Sequence, residues 1–179
     1  LYNIIDKLPY LINNAKWNSS RIDYQHPIID RLWVPDGDNR ICLHKIYPCK
    51  PNETSIHTHV WPSAMMVVYG EYEMIMGTLM PDGTHKIGAR IIMQKDSRYE
   101  MSDCESCHGV RPTKDPVYSI MVNGPHWTEA QKTDIYSKHS SANFENKCRE
   151  LRKREREDLL SVFRYKFIID NDDYQLDED

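Results

Sequence analysis

The sequence lacks any run of about 18 apolar residues, so it predicts no membrane-spanning helix. It also lacks an excess of basic residues, because 23 Lys and Arg residues stand against 27 Asp and Glu residues and give a net charge of -4. We therefore expect neither nucleic acid nor a membrane as a partner. The opening segment LYNIIDKLPYL has no basic leader and carries an Asp in its apolar stretch, a pattern that does not predict a signal peptide.

Regularly spaced pairs of cysteines are also lacking, because the five cysteines are odd in number and irregularly placed. This favours reduced thiols and a cytoplasmic location. The segment CESCH (Cys104–His108) matches the pattern of covalent haem attachment and half of many zinc sites. Haem attachment takes place outside the cytosol, a zinc site would need two further ligands from scattered cysteines, and a reducing compartment disfavours a disulfide here. The functional prediction in this motif therefore rests on His108.

From about residue 28 the sequence contains short runs rich in Val, Ile, Tyr and Met, separated by turn signals such as PDGDN and MPDGTH. This pattern is typical of a mainly antiparallel β sandwich or barrel. Asp82 and Gly83 predict the tip of a hairpin. Before this region, residues 2–15 carry apolar side chains at helical spacing interrupted by Pro9, which predicts one short helix or two helical turns.

After Trp127 the sequence becomes more polar, and we predict a division into a barrel with a helical lead-in at 1–127 and a helical extension at 128–179. An apolar stripe with interleaved charges predicts a solvated, ion-paired helix over about 143–162. The run SVFRYKFII alternates and predicts an added strand. The ending DNDDYQLDED, rich in acids and without a base, predicts a mobile tail.

His57 and His59 form a His-x-His pair in a stretch that predicts a strand. Residues i and i+2 of a strand point to the same side, so the two imidazoles would converge on one point. Neutral imidazole nitrogens are good ligands for Fe, Zn, Cu, Ni or Mn. Taken alone, simple polarity of a half-buried strand explains the pair about equally well.

Further residues place this pair in a larger pattern, because Gly70 follows it by 11 residues and His108 by about fifty. With these residues the sequence resembles the cupin superfamily, whose first motif is His-x-His, three or four residues, Glu, six residues and Gly. The stretch HTHVWPSAMMVVYG keeps both histidines and the glycine, while Ser63 stands at the glutamate position. The second motif, KDSRYEMSDCESCHGVRP, keeps Asp96 and the histidine but has Lys95 where glycine is usual.

The resemblance covers about residues 28–127 and is greatest to uncharacterised cupin-like proteins of bacteria and their viruses. It implies a mainly β, cupin-like double-stranded β-helix, or jelly-roll barrel, with a short N-terminal helix and a C-terminal helical extension. It also implies a divalent metal ion, with Fe2+ favoured and Zn2+, Mn2+ or Ni2+ as alternatives, and the ligands His57, His59 and His108. Three neutral imidazoles would leave the cation its full charge and open positions for an anionic or bidentate substrate.

Three-histidine thiol dioxygenases are a distant comparison, and they support catalysis with a Ser-x-His-x-Tyr series on a later strand. The matching positions here are Ser119, Met121 and Asn123, so two of the three residues differ and thiol dioxygenation is disfavoured. A glutamate ligand from elsewhere, Glu71 or Glu73, would restore the usual cupin ligand set.

Other candidate side chains follow from the alternation of residues along strands. Arg40 and His44 share a face of RICLHKIY, and if that face lines the barrel they are candidates to bind a substrate carboxylate or phosphate; otherwise they are surface groups. Tyr69 is a candidate catalytic residue, and it and Tyr99 are potential hydrogen-bond donors, although β propensity alone explains such tyrosines. Trp61 shares the face of the histidine pair, and filling the core is its favoured role.

The sequence thus predicts a mononuclear metal-dependent enzyme acting on a small molecule, with a non-haem Fe(II) dioxygenase or hydroxylase favoured among oxidoreductases. A metal-dependent isomerase or lyase, in which the cation polarises a carbonyl without O2, is one alternative. The other is a non-catalytic cupin that binds a ligand or a partner protein, which the missing glutamate favours. Formation of a homodimer is left open.

Overall fold

The computed structural model describes residues 2–139 and 148–169. The helices in these residues are α1 (Tyr2–Ile5), α2 (Leu8–Asn14), α3 (Asp134–His139) and α4 (Lys153–Arg164), and α4 continues into a π-helical turn (Tyr165–Ile169). Pro9 stands in the first turn of α2, where its missing N–H leaves no helical hydrogen bond unmade. The predicted N-terminal helical segment, interrupted at this proline, is confirmed. No helix in the described ranges is long and apolar enough to cross a membrane.

The strands form two antiparallel sheets. In sheet 1 the spatial order is β1 (Asn18–Ile22), β2 (Ile29–Asp36), β3 (Asn39–Ile46), β10 (Val117–Asn123), β5 (Ser63–Tyr69) and β8 (Arg98–Met101). In sheet 2 the order is β4 (His57–Thr58), β9 (Ser106–Pro112), β6 (Glu71–Leu79) and β7 (His85–Gln94). The predicted fold class, a mainly β, cupin-like fold with a short N-terminal helix and a C-terminal helix, is confirmed.

Two glycines make the turns on either side of β6. Gly70 lies between β5 and β6 with φ +81°, and Gly83 lies at the tip of the β6–β7 hairpin with φ +82°. Both φ values fall in the left-handed region, which a Cβ disfavours. An added Cβ at Gly70 would also lie 3.1 Å from Val117 Cγ2. The predicted hairpin is confirmed, and Met80 N donates to Thr84 O at 2.8 Å to close it.

The inner faces of the two sheets pack against each other. One buried cluster joins the two sheets through Ile46, Val67, Val117, Tyr72, Met74, Met93 and Val110. A second cluster beside it is formed by Cys42, Met65, Met101 and Met121. Because alternate residues of a strand share a face, Arg40 and His44 lie on the same inner face of β3 as Cys42. The face that carries these two candidates is therefore the interior of the barrel.

The outer face of sheet 1 is covered by the terminal helices. One buried cluster includes Leu8 and Ile12 of α2, Leu32, Leu43 and Ile120 of the sheet, and Leu159 and Phe163 of α4. Since Leu159 and Phe163 of α4 belong to this cluster, the described part of the extension packs directly against the outer face of sheet 1. The division of the chain at residue 127 stays a prediction, and the acidic ending lies outside the described residues.

The predicted strand in SVFRYKFII is wrong, because this run forms the end of α4 and the π-helical turn. Phe163 and Phe167 lie four residues apart and are both buried, as one face of a helix requires. In a strand, Tyr165 and Ile169 would lie on the same face as these two phenylalanines, but their side chains are 55% and 48% exposed. The predicted helix over about 143–162 begins only at Lys153, and residues 143–147 lie outside the described residues.

Candidate metal centre

Three histidines converge on the inner side of sheet 2. The antiparallel pairing of β4 with β9 places His57 opposite His108. His59 follows His57 by two residues and points to the same side. One ring nitrogen of each histidine lies within 4.8 Å of the others. Within 2–139 and 148–169, this is the one group of three or more His, Cys, Asp or Glu side chains with the spacing to hold a metal ion.

Two of the ring nitrogens stand at the separation that a shared cation requires. His59 Nε2 and His108 Nε2 are 3.1 Å apart. With metal–nitrogen bonds of about 2.1 Å, two ligand nitrogens lie about 3.0 Å apart at a right angle and about 3.4 Å apart at the tetrahedral angle. His57 Nδ1 is buried and has no hydrogen-bond partner among the described residues. The three imidazoles therefore fit a divalent metal ion.

Hydroxyl groups hold the second nitrogen of two of these rings. His59 Nδ1 lies 2.9 Å from Ser63 Oγ, and His108 Nδ1 lies 3.1 Å from Tyr99 Oη. If Nε2 of each ring binds a cation, each Nδ1 carries a proton and donates it to the hydroxyl oxygen, which fixes the tautomer and the ring plane. Ser63 occupies the glutamate position of the cupin motif. Ser63 thus contacts the ring of His59 and is not itself a member of the histidine group.

Burial keeps the three histidines neutral. Removal from water lowers the pKa of His57 from 6.5 to about 4. Burial also lowers the pKa values of His59 and His108 well below their ordinary value, and the neighbouring imidazoles lower them further. The charge of Arg31 contributes to the lowered pKa of His57 and of His59. Neutral imidazole, the form that binds metal, is therefore the form present at pH 7.

No carboxylate joins the three histidines in the part of the chain that the structure describes. Glu73, one of the two potential glutamate ligands, accepts hydrogen bonds from Arg90 at 2.7 Å and from Arg111 at 3.0 Å. Glu71 is exposed. Arg111, three residues past His108 on β9, thus points to the face of the strand opposite His108, where it pairs with Glu73. The ligand set in the described residues is three neutral imidazoles.

The two cysteines of CESCH are not part of the ligand group. Cys104 packs with Trp127 and Tyr136, and burial raises the pKa of Cys107, which favours its thiol form. All five cysteines are free thiols. Trp127 Nε1 and Tyr136 Oη donate hydrogen bonds to the carbonyl oxygen of His59 at 2.8 and 3.2 Å. The Cys104 cluster therefore supports the backbone of His59, a candidate metal ligand.

His44 lies on the inner face of sheet 1 and accepts a hydrogen bond from Arg31. The sequence analysis did not identify Arg31 as a candidate residue. Arg31 Nε donates to His44 Nε2 at 2.9 Å. Burial lowers the pKa of His44 well below its ordinary value, and the charges of Arg31 and His108 lower it further. His44 is therefore neutral and within electrostatic range of the metal ligands. The available signal for Arg31 was its position opposite His44 in the β2–β3 hairpin.

Arg40, the other candidate on β3, lies between two indole rings. Its guanidinium carbon is 4.5 Å from the centre of the Trp33 ring and 5.4 Å from the centre of the Trp61 ring. Two roles were open to Trp61, the wall of a pocket or, as favoured, filling of the core; it lines a cavity together with Arg40, which agrees with the first. The catalytic or binding role of Arg40 and His44 stays a prediction.

Tyr69, the third candidate catalytic residue, lies on the outer face of sheet 1. Met65 and Val67 face inward, so simple alternation would place Tyr69 inward as well. A register shift pairs Tyr118 with Tyr69 and Ser119 with Val67, and this β-bulge reverses the alternation. Tyr69 and Tyr118 accordingly pack against the cluster beneath the helices. We therefore do not assign Tyr69 to the site.

No protein-family model matches the chain, and no curated protein matches it. Solved structures of HppE show partial similarity. Hydroxypropylphosphonic acid epoxidase from S. wedmorenis is 11% identical, with a TM-score of 0.46 over 59% of this chain and 55% of that chain. FeII HppE is 12% identical, with a TM-score of 0.44 over 53% and 50% of the two chains. CoII HppE in complex with substrate is 14% identical, with a TM-score of 0.44 over 57% of each chain. The matches thus span between 50% and 57% of the length of these chains.

Proposed function

We propose that the protein is a mononuclear non-haem iron enzyme, a dioxygenase or hydroxylase that oxidises a small molecule with O2. The observation that supports this proposal is the convergence of His57, His59 and His108 as neutral imidazoles, two of them oriented by the hydroxyls of Ser63 and Tyr99. Three protein ligands leave coordination positions for a substrate and for O2. The free thiols agree with a reducing, cytoplasmic setting.

Iron at this site would supply Lewis acidity and the one-electron chemistry that activates O2. Residues of the chain around the site orient the ligands, contribute charge and exclude water. Ser63 and Tyr99 would accept hydrogen bonds from the two Nδ1–H groups and so hold the ligand tautomers. Arg31 contributes a fixed positive charge near the ligands, which favours an anionic substrate. The buried methionines Met65 and Met121 keep water out of the neighbouring interior.

The metal site is tested by adding Fe2+ to the metal-free protein without oxygen, followed by dialysis and element analysis. We expect one iron per chain in the unaltered protein and loss of stoichiometric iron in His57→Ala and His108→Ala. His139→Ala is the matched control, because His139 contacts the backbone of Pro81 and is not in the ligand group. Absence of stoichiometric iron in the unaltered protein would refute the proposal.

The reaction is tested on the reconstituted protein with a panel of small carboxylates, sugars and keto acids. Uptake of O2 with one of these compounds, lost in His108→Ala and retained in His139→Ala, would support the dioxygenase or hydroxylase assignment. Turnover that continues in the strict absence of O2 would instead identify a metal-dependent isomerase or lyase.

A second candidate is a metal- or ligand-binding barrel without turnover. One observation favours it: the three histidines do not line the cavity beside Arg40 and Trp61 or the cavity beside Ala64 and Met101. The interior near Tyr99 is also occupied by side chains of the Cys42, Met65, Met101 and Met121 cluster. Stoichiometric metal binding together with no aerobic or anaerobic turnover across the panel would favour this candidate.

A further inference from the structure

A cavity of about 190 Å³ opens at the end of the barrel where β3 begins and β10 ends. Side chains of Trp33, Arg40, Trp61, Asn123 and His126 contribute to its wall. The volume is about six times the roughly 30 Å³ that one water molecule occupies in the liquid. A molecule of a few carbon atoms with one charged group therefore fits.

Two polar side chains in this wall are buried without a hydrogen-bond partner. Asn123 is 1% exposed, and neither its Oδ1 nor its Nδ2 has a partner among the described residues. Trp61 Nε1 is also buried and unpaired. Such groups are rare in folded proteins because an unpaired polar group that has lost its water destabilises the fold. Their presence in one cavity wall indicates a ligand that pairs with them.

The charge of the wall indicates the class of this ligand. The Arg40 guanidinium lies over the Trp33 and Trp61 rings, and its planar set of N–H bonds suits the two oxygens of a carboxylate. Asp38 also lines the cavity, so the wall does not have the excess of positive charge that a phosphate dianion requires. A ligand with a single carboxylate, paired with Arg40 alone, matches the wall better than a dianion.

We propose that this cavity binds a small hydroxy- or aminocarboxylate. The carboxylate accepts hydrogen bonds from Arg40, Trp61 Nε1 and Asn123 Nδ2. The neighbouring hydroxyl or amino group donates to Asn123 Oδ1. This arrangement pairs all three of the buried polar atoms that lack a partner.

The cavity lies next to the candidate metal centre. Asn123 is paired in register with Arg40 on one side and with Ser63 on the other. Directly paired residues of antiparallel strands have Cα atoms about 4.5–5.5 Å apart. Ser63 in turn contacts His59. The assignment of this ligand as the substrate rests on the proposed enzymatic function, whereas binding in the cavity requires no metal.

The binding is tested on the metal-free, full-length protein by NMR, with L-lactate as the probe. The chain has four tryptophans, so the indole N–H region holds few signals, and Trp61→Phe assigns the one that belongs to Trp61. We expect L-lactate to shift this signal saturably, with a dissociation constant on the order of 1 mM or below. We expect 1,2-propanediol, which lacks the carboxylate, to leave the signal in place.

Two variants test the contacts. Asn123→Ala and Arg40→Lys should each weaken L-lactate binding at least tenfold, the loss expected for hydrogen bonds to a charged group. Arg90→Lys is the control, because Arg90 pairs with Glu73. The far-ultraviolet circular dichroism spectra establish that the variants are folded. Unchanged lactate affinity in both folded variants would overturn the proposal, as would the absence of a shift with L-lactate or equal affinity for inorganic phosphate.

Titration of the same proteins with Fe2+ separates this inference from the proposed function. Lactate binding without stoichiometric iron would refute the enzyme proposal alone. Iron binding without lactate binding would refute the carboxylate site alone.

Discussion

Replacing Ser63 with Ala removes the hydroxyl that lies 2.9 Å from His59 Nδ1. In the metal-bound protein His59 binds through Nε2 and must keep its proton on Nδ1. Because Ser63 is 4% exposed, solvent does not readily replace the lost hydroxyl. The substitution therefore leaves a buried N–H group without its partner.

The size of the effect follows from a difference between two states. In the metal-free protein the His59 proton can move to Nε2, which lies 3.1 Å from His108 Nε2 and can donate to it. Bound metal removes this alternative, so the cost falls mainly on the metal-bound state. An unpaired buried group costs about 1–3 kcal/mol, which corresponds to a metal affinity about 5- to 150-fold lower. Loss of outer partners of metal ligands typically lowers affinity by about 10- to 100-fold.

Competition with a chelator of known affinity measures this change. Ser161→Ala is the matched control, because Ser161 Oγ donates to the Asp158 carbonyl in α4, on the outer face of sheet 1. We expect weaker metal binding in Ser63→Ala and unchanged binding in Ser161→Ala. Equal affinity in Ser63→Ala and the unaltered protein, or an equal loss in both variants, would refute the assigned role of Ser63.

Three further predictions concern the ring partner of His108, the helical layer and the acid sensitivity of the site. Tyr99→Phe removes the hydroxyl beside His108 Nδ1 and should weaken metal binding about 10- to 100-fold. Tyr72→Phe should change metal binding less, because the Tyr72 hydroxyl contacts Tyr99 and not the histidine. Chelator competition compares the two variants. Phe163→Ala removes a fully buried ring and should lower the free energy of unfolding by about 3–5 kcal/mol in urea denaturation; a loss below about 1 kcal/mol would contradict the packing of α4 on the barrel. The pKa of His57 is lowered from 6.5 to about 4 in the folded state, so the unfolded chain binds more protons between these two pH values. The free energy of unfolding of the metal-free protein should therefore be fully retained above pH 6.5 and fall as the pH decreases towards 4. Urea denaturation at several pH values measures this, and His57→Gln should show a smaller decrease.

Local patterns predicted the main features of the fold and brought out the histidines. The His-x-His spacing placed His57 and His59 on one side of an extended segment, and the structure shows this arrangement. Turn residues around Gly83 predicted the hairpin that the structure contains. These features depend on neighbours within a few residues, which the sequence displays directly.

Features that depend on packing between distant segments were not predictable in the same way. The bulge opposite Tyr118 reversed the side on which Tyr69 lies, and no local signal marks it. The run SVFRYKFII satisfies both a helical and an alternating pattern, and packing of Phe163 and Phe167 beneath the barrel decides between them. The contact of Tyr99 with His108 joins sheet 1 to sheet 2, so it required the tertiary structure.

The absence of a carboxylate from the histidine group of the described residues and the position of Arg31 belong to one electrostatic arrangement. A divalent ion held by neutral imidazoles keeps its full charge, and Arg31 adds positive charge that already lowers the pKa values of His57 and His59. Excess positive charge in a buried site is unfavourable unless an anion compensates it. Because no carboxylate lies in this histidine group within the described residues, an anionic ligand would compensate the charge of a metal held there.

A carboxylate bound next to Ser63 would meet this requirement, and metal and anion would then each increase the affinity for the other by the same factor. Such coupling is weaker when the protein itself contributes a carboxylate, because the ion is then partly neutralised before the ligand arrives. Serine at the glutamate position therefore has two consequences. It orients His59 through its hydroxyl, and it would leave compensation of a bound metal's charge to the molecule that binds.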